Sequence, residues 1–134
     1  MIELLWLLFA ASCGLVEGFL FHGRKPTITK PDEHVIFTIQ RVVVGMICVL
    51  ATYPDWVHAL IFILYSVMTF SLWHDGAYYE ARTYLSGGIL YPLRWMDRSA
   101  TTDAKVSMKF EKRLVYFAAG MGMYVGYLVI KYIA

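Results

Sequence analysis

Two opposite charges stand inside otherwise apolar runs of this chain: Glu17 in Ile2–His22 and Arg41 in Val35–Thr52. A charge within a membrane-soluble run is costly and faces protein or water rather than lipid. Glu17 lies three residues after Gly14 and one before Gly18, on the side of its run best suited to close packing. In the second run His34, Thr38, Arg41 and Gly45 share one helical face. Glu17 can act there as a proton acceptor or ligand, with Arg41 holding it ionised or recognising an anion. The plainer alternative is an ion pair that satisfies itself, which is weak evidence for stability. Thr38 is expected to bond its own helix backbone.

Three histidines, His22, His34 and His74, close or open apolar runs at one common level, and Asp75 and Glu80 follow His74. With Glu17, these imidazoles are the donor types of a zinc, iron or manganese site. No HxxxH, ExxH or HExxH spacing occurs on one helix, so such a site would draw its ligands from several elements. Haem held by two of the histidines is the weaker expectation. His58 falls at the opposite end and is expected to have no role. Cys13 and Cys48 lie in apolar runs with no CxxC or finger spacing, which predicts buried free thiols.

The elements that must position these groups are helices. Of 134 residues, 59% are apolar and 16% charged, against about 25% charged in soluble domains; mean hydropathy is +0.55. A small soluble domain leaves too much surface wet to hide so much hydrocarbon. Twelve basic against ten acidic residues leave +2, which excludes a nucleic-acid partner on charge grounds. Four runs, 2–22, 35–52, 56–74 and 114–133, are long enough to cross about 30 Å of hydrocarbon. They are continuous rather than alternating, so helices are predicted rather than a barrel. The N-terminal run has no basic start and is read as a retained helix rather than a leader.

The predicted fold is therefore all-α: one domain over 1–134, a four-helix transmembrane bundle with a long cytoplasmic or interfacial insert at 75–113. Asp32 and Asp55 are expected to cap the second and third helices. The third is expected to extend past the membrane to Tyr84, until Gly87-Gly88 stops it. Ile89–Met96 is expected to lie along the membrane surface. The last helix is expected to start early, near Ser99–Asp103, with Val106, Phe110 and Leu114 along one side of a stalk. Basic residues crowd the first and third connections, so the positive-inside rule makes the chain an integral, multi-pass protein with both termini outside the cytoplasm. Trp6, Tyr53, Trp56 and Tyr132 would then mark the outer interface, and Trp73, Tyr78, Tyr79 and Trp95 the inner one. Small residues every four positions, Ala10-Gly14-Gly18 and Ala118-Gly122-Gly126, predict close helix packing within the bundle or in a homo-oligomer.

Depth follows from the rise of the helix. Glu17 is five residues short of His22, about 7.5 Å from the edge, and Arg41 is seven past His34, about 10 Å in. The two charges are predicted at one level on neighbouring antiparallel helices.

A lone glutamate in the first of four membrane helices resembles the small multidrug-resistance transporters, and that resemblance implies proton coupling at Glu17. It covers this residue alone. Those chains have short connections throughout, whereas this one carries a long insert and an arginine at matching depth.

Three functions from different classes fit the residues. The first is a ligand- or metal-binding membrane protein, with catalysis left open. Glu17, His34, Arg41, His74 and Asp75 would touch the ligand, and Ile89–Trp95 would form a lid or lipid entrance. The second is an accessory subunit that docks a membrane-complex partner through the insert. The third is a proton- or ion-coupled transporter or channel protomer, which needs an oligomer because so small a bundle has little room for a pathway.

Overall fold

Continuous apolar sequence punctuated by proline, aspartate and glycine becomes four helices: α1 (Ile2–His22), α2 (Pro31–Ala51), α3 (Trp56–Leu85) and α4 (Phe110–Ile133). The computed structural model describes residues 2–22, 31–52, 55–87, 95 and 108–133, with side chains for all of these except 21–22 and 31–36. There is no strand among the described residues. Three helices, α1, α3 and α4, are long and apolar enough to cross a membrane, while the described apolar part of α2 is the shorter Phe37–Ala51.

The helix ends have local causes. Asp55 caps α3, its side chain accepting from the His58 backbone N–H at 2.9 Å. At the other end the Ser86 N–H and hydroxyl both return to the Arg82 carbonyl, and Gly87 turns the chain away at φ +74°. That left-handed angle suits glycine, which has no Cβ to clash. α3 thus runs eleven residues past His74, to Leu85. Two boundaries differ from expectation. α2 begins at Pro31 rather than after an Asp32 cap, because proline at the first helical position loses no hydrogen bond and arrives with its φ already set. α4 begins at Phe110, and Met108 and Lys109 are not helical, so the early stalk is absent at these positions. Leu114, its last predicted contact, is exposed. The predicted features at Tyr53, Ile89–Met96 apart from Trp95, Ser99–Asp103 and Val106 lie outside the described residues.

α3 is the hub. α1 runs parallel to it and α4 antiparallel, each along most of its length, while α2 touches the bundle lightly. The α1–α3 approach is very close. A Cβ at Gly14 would overlap the His74 carbonyl, and one at Gly18 would come within 2.7 Å of the Ala81 Cβ. The predicted α4 seam differs: nothing stands within 4 Å of a Cβ at Gly122 or Gly126, and Gly120 is the glycine that meets α3, beside Met68 and Thr69.

The core gathers Trp6, Leu7, Cys48, Phe62, Tyr65 and Tyr124. Trp6 is buried, and its indole N–H donates to the Ser66 carbonyl at 3.2 Å. Tyr78 and Tyr79 are likewise buried, because the Gly18 approach draws α1 over them. Trp95 folds back on α3, edge-on to Trp73 and filling the space a side chain at Gly76 would need. Cys13 and Cys48 are buried free thiols. The outward faces are strongly apolar, with Ile47 60% and Val67 73% exposed.

Candidate functional site

Every helix sends a charged side chain to one end of the bundle. Glu17 comes from α1 and Arg41 from α2, and they form an ion pair in which Glu17 is 5% exposed. His74 comes from α3, its Nε2 3.2 Å from the same Glu17 oxygen and 2.9 Å from Arg41 Nη2. Its Nδ1 lies 2.9 Å from Asp75 Oδ1. Asp75 Oδ2 accepts from the Ser71 hydroxyl at 3.3 Å and faces Arg113 Nη1, from α4, at 3.5 Å. Arg113 is fully buried. One imidazole thus stands between two carboxylates, each of which faces an arginine.

Arginine has donors and no acceptor, so Arg41 can only donate, to Glu17 or to the ring nitrogen of His74, while the imidazole meets a carboxylate oxygen at each of its two nitrogens. Phe70, one turn before His74, stacks on its ring at 5.1 Å and lies under the Arg41 guanidinium at 5.0 Å. The ring holds both groups in place.

The structure brings together four of the five residues expected at the ligand: Glu17, Arg41, His74 and Asp75. The side chains of His34 and His22 lie outside the described residues. Among the described residues no three His, Cys, Asp or Glu groups are placed to hold a metal ion. Glu17 and His74 approach each other, but the cation against them is the Arg41 guanidinium. Arg113 and Ser71 were not anticipated. Arg113 had a readable sign, since it shares a helical face with Gly120 and Tyr124, seven and eleven residues on, and all three are buried.

Arg41 also belongs to a second feature. Between α2 and α3 lies an apolar groove of about 660 Å³, lined by Val42, Gly45, Met46, Ser66, Val67 and Phe70 among others, with Arg41 at one end. The Arg41 side chain is 28% exposed. Within the cluster Glu17 and Arg113 are buried, while Arg41 and Asp75 keep part of their side chains exposed.

The opposite end carries its own polar group. Tyr124 donates to Glu3, and its oxygen is 2.8 Å from His58 Nε2; His58 and Glu3 are 3.7 Å apart. His58 thus joins three helices rather than standing without a role. Nearby, Asp55 pairs with Lys131 and accepts from the Tyr127 hydroxyl at 3.0 Å. The Lys131 ammonium and the His58 backbone N–H together hold the Asp55 carboxyl below the usual aspartate range. No protein family, curated protein or solved structure matches this chain.

Proposed function

We propose that this is a four-span integral membrane protein with both termini outside the cytoplasm, which binds a small ligand at the Glu17–Arg41–His74 cluster on its cytoplasmic side. The apolar outer faces of α1, α3 and α4 support insertion, because water would expose them at large cost. The basic first and third connections support the orientation. The observation that carries the ligand reading is the double membership of Arg41, at once in the buried charge cluster and in the wall of the groove. Arg41 spends Nη2 on Glu17 and His74, and its Nε has no partner. A ligand arriving there meets a cation already oriented by Glu17 and Phe70, so little ordering is left to be done on binding.

Native mass spectrometry of the protein released from mild detergent tests this. The wild type is expected to carry a non-protein mass that Arg41→Ala loses while its helicity by circular dichroism is kept. A wild type with no adduct, or an adduct indifferent to Arg41→Ala, overturns the reading.

One observation favours a second reading. His74 stands between two carboxylates, Glu17 and Asp75, an arrangement that can pass a proton from one to the other. In that reading the protein is a proton-coupled carrier. Proton flux into liposomes should then fall with Glu17→Gln, and flux equal to that of empty liposomes removes it.

A further inference from the structure

We infer that the groove between α2 and α3 holds one acyl chain of an anionic phospholipid whose phosphate is bound by Arg41; this rests on the ligand-site reading above. The volume, about 660 Å³, lies within the roughly 300–1,000 Å³ of small-molecule sites. Its walls are Val42, Met46 and Leu50 on one side and Phe62, Ile63 and Val67 on the other. From Arg41 to Leu50 is nine residues, about 13 Å of helix. A free anion would leave most of that length empty, whereas a hydrocarbon chain fills it.

The polar atoms along the groove come in the order a phospholipid needs. At one end Arg41, the charged residue of the lining, has an Nε with no partner and a planar fork that matches a phosphate. Ser66 stands one turn deeper than Phe70, the ring beneath the guanidinium, and so about 6 Å farther along the axis. Ser66 is 6% exposed, and its hydroxyl has no partner. A serine or threonine inside a helix commonly bonds back to the carbonyl four residues earlier. Thr69 does so, donating to Tyr65 O at 2.8 Å. Ser66 does not, and it lines the groove. Phosphate, ester carbonyl and acyl chain thus meet a guanidinium, a free hydroxyl and apolar walls in sequence. A fatty acid lacks the second acceptor, and inorganic phosphate lacks both acceptor and chain.

The test offers delipidated protein equal amounts of phosphatidylglycerol and phosphatidylcholine and reads retention by native mass spectrometry. Wild type is expected to keep phosphatidylglycerol about tenfold better, because phosphatidylcholine presents the same phosphate together with a choline cation that the Arg41 guanidinium repels. Arg41→Gln should erase the preference. Because that change leaves Glu17 unpaired, Glu17→Gln/Arg41→Gln is measured beside it, with charge balance kept, and should erase the preference equally. Ser66→Ala should weaken retention of both lipids severalfold and leave the headgroup preference intact. Equal retention of the two lipids by wild type, or a preference that survives in the double variant, overturns the inference. So does displacement of phosphatidylglycerol by millimolar inorganic phosphate or by oleate. If another mass still depends on Arg41 in those cases, the lipid assignment alone has failed; if none does, the ligand site has failed with it.

Discussion

The two ends of the bundle solve the same problem, polar side chains among hydrocarbon, with different chemistry. At the Asp55 end two phenols, a histidine, the Glu3 carboxylate and a half-exposed ion pair tie α1, α3 and α4 together without α2. At the Glu17 end charges of both signs come from all four helices and are more deeply buried. Opposed charges in a low dielectric are strongly coupled, so changing one is felt by the rest, and the coupling weakens where solvent reaches the pair.

The contrast is sharpest in the cost of losing one carboxylate. Asp75→Ala removes the anion facing the fully buried Arg113 and should cost about 3–5 kcal/mol in unfolding from detergent micelles, the usual penalty for breaking a buried pair. Asp75→Ala/Arg113→Met should recover most of it. If Asp75→Ala costs no more than Asp55→Ala, the two ends do not differ in kind.

Next come the glycines. Gly14→Ala forces a side chain against the α3 backbone and should cost about 1–3 kcal/mol by the same assay. Gly122→Ala, at the other end, meets nothing and should leave the unfolding curve in place. Equal effects would mean that α4 is covered by another surface in the membrane.

Tyr124→Phe should cost about 1 kcal/mol, the net worth of an ordinary hydrogen bond. A much larger loss would show that the Asp55 end is coupled as tightly as the other.

The smallest effect is pH-dependent. The carboxyl of Asp55 has its pKa lowered in the folded protein by Lys131 and the His58 N–H. An unfolded aspartate titrates near ~3.9. Its stabilising contribution is complete above that value and disappears as pH falls through the lower folded one. The difference in stability between wild type and Asp55→Asn should thus be constant near neutrality, shrink below about pH 4 and be reduced by salt. A gap that grows on acidification would contradict the assignment.

Much of this was legible in the residues. Composition and continuity of the apolar runs suffice for helices, and Gly87 stops α3 because a left-handed turn needs it. Glu17 and Arg41 could be set at one level because both are counted from ends joined by one connection. Arg113 was not legible in the same way. Its depth depends on where α4 begins, and counting it among the basic residues of the insert hid the face it shares with Gly120 and Tyr124. Gly122 and Gly126 meet no other described helix of this chain, since spacing tells which positions align but not which neighbour they meet. The burial of Trp6 was hidden for a related reason: an indole suits a core site whenever a carbonyl is in reach, and only tertiary packing shows that it is.

The light attachment of α2 has a consequence for how this helix is held against the others. In a bilayer, greasy surface gains nothing by leaving lipid for protein, so apolar contact alone does not seat a helix. α2 meets its neighbours through small groups such as Gly45 and Cys48 and through the one guanidinium at position 41. That residue is the charged tie between α2 and the rest of the bundle among the described side chains, so a substitution at position 41 acts on the seating of the whole helix as well as on the charge cluster.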